Sequence, residues 1–160
     1  MKQFTPLSLF PHAKEQEPWM GKVTKLLKSA ISQGVISSDD AVIAARISIL
    51  GEVTDESVVL AFAMAIAAPK SGSACVDLNE VGLDSVPSEP HKSDDEQETP
   101  AIPKNRGAWI EAVSGCERLV DSLHSGKTTP FKIEGGKLYT HRYASYQREL
   151  AERLRLLSGQ

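Results

Sequence analysis

Apolar positions along the chain fall into one unbroken run and several periodic ones. The run, Val58 to Ala68, holds Val58, Val59, Leu60, Phe62, Met64 and Ile66 with only alanines between them. Thr54, Asp55 and Glu56 precede it: Thr54 is placed to cap the first free N–H groups, and the two acids sit at the positive end of the helix dipole. Pro69 stops it, because proline cannot continue the backbone ladder. A helix apolar on every side must be buried on every side, and each large side chain then contributes about 1.5–3 kcal/mol gross. The pattern predicts the central helix of a core. The run is well short of the ~20 apolar residues that span a bilayer.

The other periodic stretches predict the elements around it. Val23, Leu26, Leu27, Ala30 and Ile31 recur at helical spacing and predict a helix over about 19–32, with Gly34 as its C-cap. Ser37-Ser38-Asp39-Asp40 opens a second helix, mostly apolar through Val42, Ile43, Ala45, Ile47, Ile49 and Leu50, which Gly51 ends. The short connections predict three neighbouring helices, with helix-turn-helix as one arrangement. Cys75 to Leu78 reads as a strand. A fourth helix is predicted over about 107–124, with Trp109, Val113, Cys116, Val120 and Leu123 as its stripe and Gly126 at its end. Pro130 to Thr140 alternates apolar and polar residues about Gly135-Gly136, the signature of a tight hairpin. A lone hairpin is marginal, and Cys75–Leu78 is its expected third strand. A last helix over about 143–157 carries Tyr143, Tyr146, Leu150, Leu154 and Leu157 on one face. The fold class is therefore α+β and mainly helical: about five helices with a small hairpin or three-stranded sheet, winged-helix-like in outline.

Composition refines the boundaries. With 160 residues, 41% hydrophobic and 24% charged, one domain over 19–157 is the expectation. Residues 1–18 read as an extended or disordered segment, rich in proline yet carrying Phe4, Leu7, Leu9 and Phe10. They have no signal-peptide pattern, which points to the cytoplasm. Residues 84–106 combine four prolines with many acids and few large apolar side chains, the composition of a disordered insertion. The net charge of −3 hides a basic C-terminal end. Cys75 and Cys116 each sit within an apolar pattern and read as free buried thiols.

The chemistry is sparse. Ser125-Gly126-Lys127-Thr128-Thr129 resembles the end of a phosphate-binding loop, but Asp121 stands where that motif needs glycine. A helix C-cap followed by a polar turn is the favoured reading. His12, His91, His124 and His141 lack metal-ligand spacing with each other or with the cysteines. The sequence nominates no catalytic, cofactor-binding or metal-binding residues.

Several segments, in order, carry a family resemblance. Gly72-Ser73-Ala74-Cys75-Val76-Asp77-Leu78 is similar to the "GHVCLDL"-type segment of the N-terminal region of RecD, the alpha chain of bacterial exodeoxyribonuclease V. The apolar helix before it, the approach Thr129-Pro130-Phe131, and Lys137-Leu138-Tyr139-Thr140-His141-Arg142-Tyr143 follow the family's order, the last resembling its "RLYLxRYxxxE" stretch. The resemblance covers roughly 20–83 and 107–157, and Ala41 to Ala61 looks most like actinobacterial members. Ser73-Ala74 replaces the usual His-Val pair, and the 84–106 insertion is longer than in many relatives.

The resemblance implies a non-catalytic assembly domain. It would dock a 5′→3′ helicase subunit onto the gamma chain, RecC, of a helicase–nuclease that processes double-strand DNA ends for recombinational repair. The gamma and beta chains are then the partners, DNA is met through the parent complex, and no membrane is involved. The chain itself would need no cofactor, since ATP and Mg belong to motor domains that lie beyond this region. Its end just past an amphipathic helix fits a piece of something longer. The expected docking residues are Phe4, Leu7, Phe10, Trp19, Leu150, Leu154 and Leu157. The alternative is a winged-helix-like nucleic-acid-binding module using Lys132, Lys137, His141 and Arg142. An enzyme would need a pocket of convergent polar groups.

Overall fold

The structure is a computed structural model that describes residues 26–81 and 102–159. Residues 26–32 are helical (α1), and the chain leaves them through Gly34 at φ +72°. There the Val35 amide donates to Ala30 O at 2.9 Å, closing the last turn. Helix α2, Ser38–Leu50, opens on a reciprocal cap. The Asp40 amide donates to Ser37 Oγ at 3.3 Å, and the Ser37 amide donates to Asp40 Oδ2 at 3.1 Å.

Helix α3, Glu56–Ala67, is the core helix that the apolar run predicts. Every residue from Val58 to Ala65 is buried. Its cap is Asp55 rather than Thr54, with the Ser57 amide donating to Asp55 Oδ1 at 2.9 Å. Pro69 ends the α-helix as expected, and a 3-10 turn, Ala68–Ser71, leads out of it.

Four strands follow: β1 Val76–Asp77, β2 Val120–Ser122, β3 Phe131–Glu134 and β4 Lys137–Thr140. They form one sheet in the order β1-β4-β3-β2. The predicted hairpin is β3–β4, with Gly135 and Gly136 at φ +56° and +82° and Ile133 opposite Leu138. The predicted third strand is β1, antiparallel to β4 with Val76 opposite Leu138. Phe131 stacks on Phe62 of α3 with ring centroids 4.3 Å apart, joining sheet to core helix. Five α-helices and this sheet make a mainly helical α+β fold among the described residues.

Two expectations are corrected. The fourth helix, α4, covers only Arg106–Ser114 and turns out at Gly115. Val120, placed on its stripe by spacing, lies instead in β2, parallel to β3 and opposite Phe131. The Val120-Asp121-Ser122 segment is a poor helix former, and the ladder with β3 outweighs its helical periodicity. The sheet therefore has four strands rather than three, and with a parallel pair the winged-helix likeness finds no support in its order. Trp109 of α4 is buried as predicted, its Nε1 donating to Ser57 O at 2.7 Å. Phe4, Leu7, Phe10 and Trp19, and residues 84–101 of the acidic segment, lie outside the described residues.

Candidate interaction surface

Helix α5, His141–Leu157, starts where β4 ends and packs its first turns against β3 and β4. At 3.6 residues per turn, Tyr143, Tyr146, Leu150, Leu154 and Leu157 fall within roughly a quarter of its circumference. Ala144, the one buried residue of α5, lies off that stripe. Tyr143 is half-buried, and from Tyr146 onward the stripe is exposed. Leu150 is 58% exposed, Leu154 56% and Leu157 84%. Polar side chains flank it: Arg153 and Glu149 pair at 2.5 Å, and Arg142 Nε donates to Tyr146 Oη at 3.0 Å.

Helix α2 has a second outward apolar face. Its buried residues are Asp40, Ala41, Ala44 and Ser48, whereas Val42, Ile43, Ile49 and Leu50 are exposed, Leu50 at 81%. Small side chains face α3 because the helices approach closely there, which leaves Val42, Ile43, Ile49 and Leu50 outside while Ile47 is partly buried against the core. Small residues at 41, 44 and 48, at helical spacing, were the sequence signal for this orientation. Among the described residues, every exposed large hydrophobic side chain lies on α2 or α5. Contiguous exposed apolar surface of this kind marks interaction sites.

The four residues of the nucleic-acid alternative do not form one exposed basic surface. Lys137 and Arg142 are exposed, and His141 is half-buried. Lys132 is 3% exposed. Its Nζ donates to Lys127 O at 2.6 Å and to Ser125 O at 3.3 Å, with Asp121 Oδ2 at 3.8 Å. Its ammonium is turned inward, onto the loop that joins β2 to β3.

That loop contains the Ser125–Thr129 segment. No helix precedes it, contrary to the C-cap reading; it is a crossover between parallel strands. Residues 123–130 make the crossing in fewer than the dozen or more usual for such a connection. Lys132 fastens it from below, while the Ser125 hydroxyl donates to Asp121 Oδ2. Those contacts hold the Asp121 carboxyl below its ordinary range, Ser125 first and the Ser122 amide next. His124, expected at a helix end, pairs with Glu134 at 2.8 Å.

A cavity of about 650 Å³ is lined by Met64, Val76, Asp40 and Lys70 among others. Its buried carboxylate, Asp40, pairs with Lys70 Nζ at 2.7 Å and also caps α2. Burial opposes ionisation of Asp40, but the hydrogen bonds from Lys70 and Ser37 outweigh it and hold the carboxyl below its ordinary value. This pair locks the α2 entry to the turn after α3, a structural duty. Among the described residues no group of three or more His, Cys, Asp or Glu side chains is placed to hold a metal ion. Cys75 and Cys116 are free thiols, and burial raises the pKa of Cys116. No helix of the described residues is long and apolar enough to cross a membrane.

Residues 32–139 match the family described as "RecBCD enzyme subunit RecD, N-terminal domain". No curated protein matches the chain, and no solved structure matches it.

Proposed function

The chain belongs to the family of RecD N-terminal domains, and on that premise we propose that it is a non-catalytic assembly domain that docks RecD onto the gamma chain, RecC, of the helicase–nuclease. Its role would then be in the processing of DNA double-strand ends for recombinational repair, in the cytoplasm, with ATP-driven work left to motor domains of the parent subunit. The beta chain and DNA are met through the assembled complex.

The observation that supports this reading best is the outward stripe of α5. A helix that keeps Leu150, Leu154 and Leu157 in water leaves apolar area available to a partner, and helices recognised in grooves are read through anchors at this spacing. Phe4, Leu7, Phe10 and Trp19 remain candidate contributors from the N-terminal segment. The nucleic-acid alternative draws less support, because Lys132 is turned inward.

The test is co-purification of the 160-residue chain with the gamma subunit of the same organism, at moderate and at high salt. A complex stable at both salts is expected, because apolar contacts are not screened. The pair Leu150→Glu and Leu154→Glu, both exposed and so compatible with the fold, is expected to weaken it at least about 100-fold. A folded chain that forms no complex, or a double variant that binds as well as the parent, would remove α5 as the docking element.

A further inference from the structure

The crossover loop between β2 and β3 has no part in the docking reading, yet it walls a cavity of about 190 Å³ together with β3 and α5. That is well under the ~300–1,000 Å³ of sites for organic ligands. Its lining is chemically one-sided. Lys127, Lys132, His141 and Arg148 all contribute, and no Asp or Glu does. Asp121, the nearest described acid to Lys132, lies at 3.8 Å from Nζ and is not part of the lining.

The donors there are in different states of commitment. Lys132 is held at the base by the Ser125 and Lys127 carbonyls, so its charge is fixed in place. The Ser125 and Ser145 hydroxyls donate to Asp121 and to the His141 carbonyl, which leaves Thr128 as the hydroxyl donor. His141 has a buried Nδ1 with no hydrogen-bond partner. Lys127 and Arg148 are exposed at the rim, neither within ion-pair distance of a described carboxylate. A small concave site lined by one sign of charge focuses its field on a counter-ion.

We propose that this cavity binds a phosphate group. Lys127 and Arg148 close on it from the rim beside the exposed Thr128 hydroxyl, and the fixed charge of Lys132 lies at its base. A free phosphate ion and a phosphate on a nucleic-acid strand present the same chemistry. The site is independent of the docking surface, since neither Leu150 nor Leu154 lines it.

The test uses the 160-residue chain in phosphate-free buffer at constant ionic strength, followed by amide chemical shifts. Inorganic phosphate is titrated first, then a short single strand with and without a 5′-phosphate. Saturable shifts centred on residues 125–129 are expected. The Lys127→Ala, Arg148→Ala double variant removes only exposed side chains and keeps the fold, which its unchanged thermal midpoint in the same buffer verifies. It is expected to bind phosphate at least roughly tenfold more weakly, since charge-assisted hydrogen bonds are lost. A strand that binds only with its 5′-phosphate assigns the terminal group, and equal binding assigns the backbone. No saturable shift with any probe, or equal shifts in the double variant, would overturn the proposal.

Discussion

Lysine at position 132 reads in sequence as the solvated partner of an alternating strand, and its neighbours decide otherwise. Asp121 lies opposite it in the parallel register, and the loop carbonyls of Ser125 and Lys127 close over its ammonium. Lys132→Ala leaves both carbonyls without a charged donor. It is expected to lower stability by about 2–3 kcal/mol in urea denaturation, and a loss near zero would mean that the loop does not depend on this fastening. Asp40 is the second residue whose role its identity conceals. Its folded carboxyl titrates below the unfolded value of about 3.9. Its contribution is therefore complete above the ordinary carboxylate range and is lost as pH falls through the depressed value. The stability gap between the parent and Asp40→Asn should be steady near neutrality and narrow below about pH 4. A gap unchanged to the acid limit would contradict the Lys70 and Ser37 contacts as its source.

Elements follow the same division. Helix α3 is legible residue by residue, because an unbroken apolar run has no orientation to misread. Helix α2 has one, and it runs against the usual rule: Val42, Ile43, Ile49 and Leu50 outside, Ala41, Ala44 and Ser48 inside. Helix α5 divides along its length. Its first turns hold the sheet, and from Gln147 to Gly159 every residue is exposed. Removing residues 149–160 is therefore expected to change stability by no more than about 0.5 kcal/mol while abolishing partner binding. A large drop in the urea midpoint would show that this part of the helix supports the fold rather than the partner. Helix α4 and β2 show where periodicity misleads. A stripe through Trp109, Val113, Cys116 and Val120 satisfies helical spacing, yet the chain turns at Gly115. Gly51 has a part in that turn, since a Cβ there would run into the Leu119 side chain just before β2.

For the whole molecule, the core helix, the hairpin and the apolar stripe of α5 put a mainly helical α+β domain in view from the sequence. The family match covers residues 32–139, within the stretch over which the sequence resemblance was read. These features were readable because their causes are local. A run of apolar residues, a Gly-Gly turn between alternating strands, and proline after a helix act within a few positions of themselves. The tertiary structure alone decided the rest: that β2 joins the sheet in parallel, that Lys132 turns inward, that α2 faces α3 with its small side chains, and that a basic cavity forms where β3, α5 and the crossover loop meet. Each depends on groups far apart in the chain, or on which of two faces a neighbour covers. Periodicity places residues on a face, but the packing partner determines whether that face is buried or left to solvent.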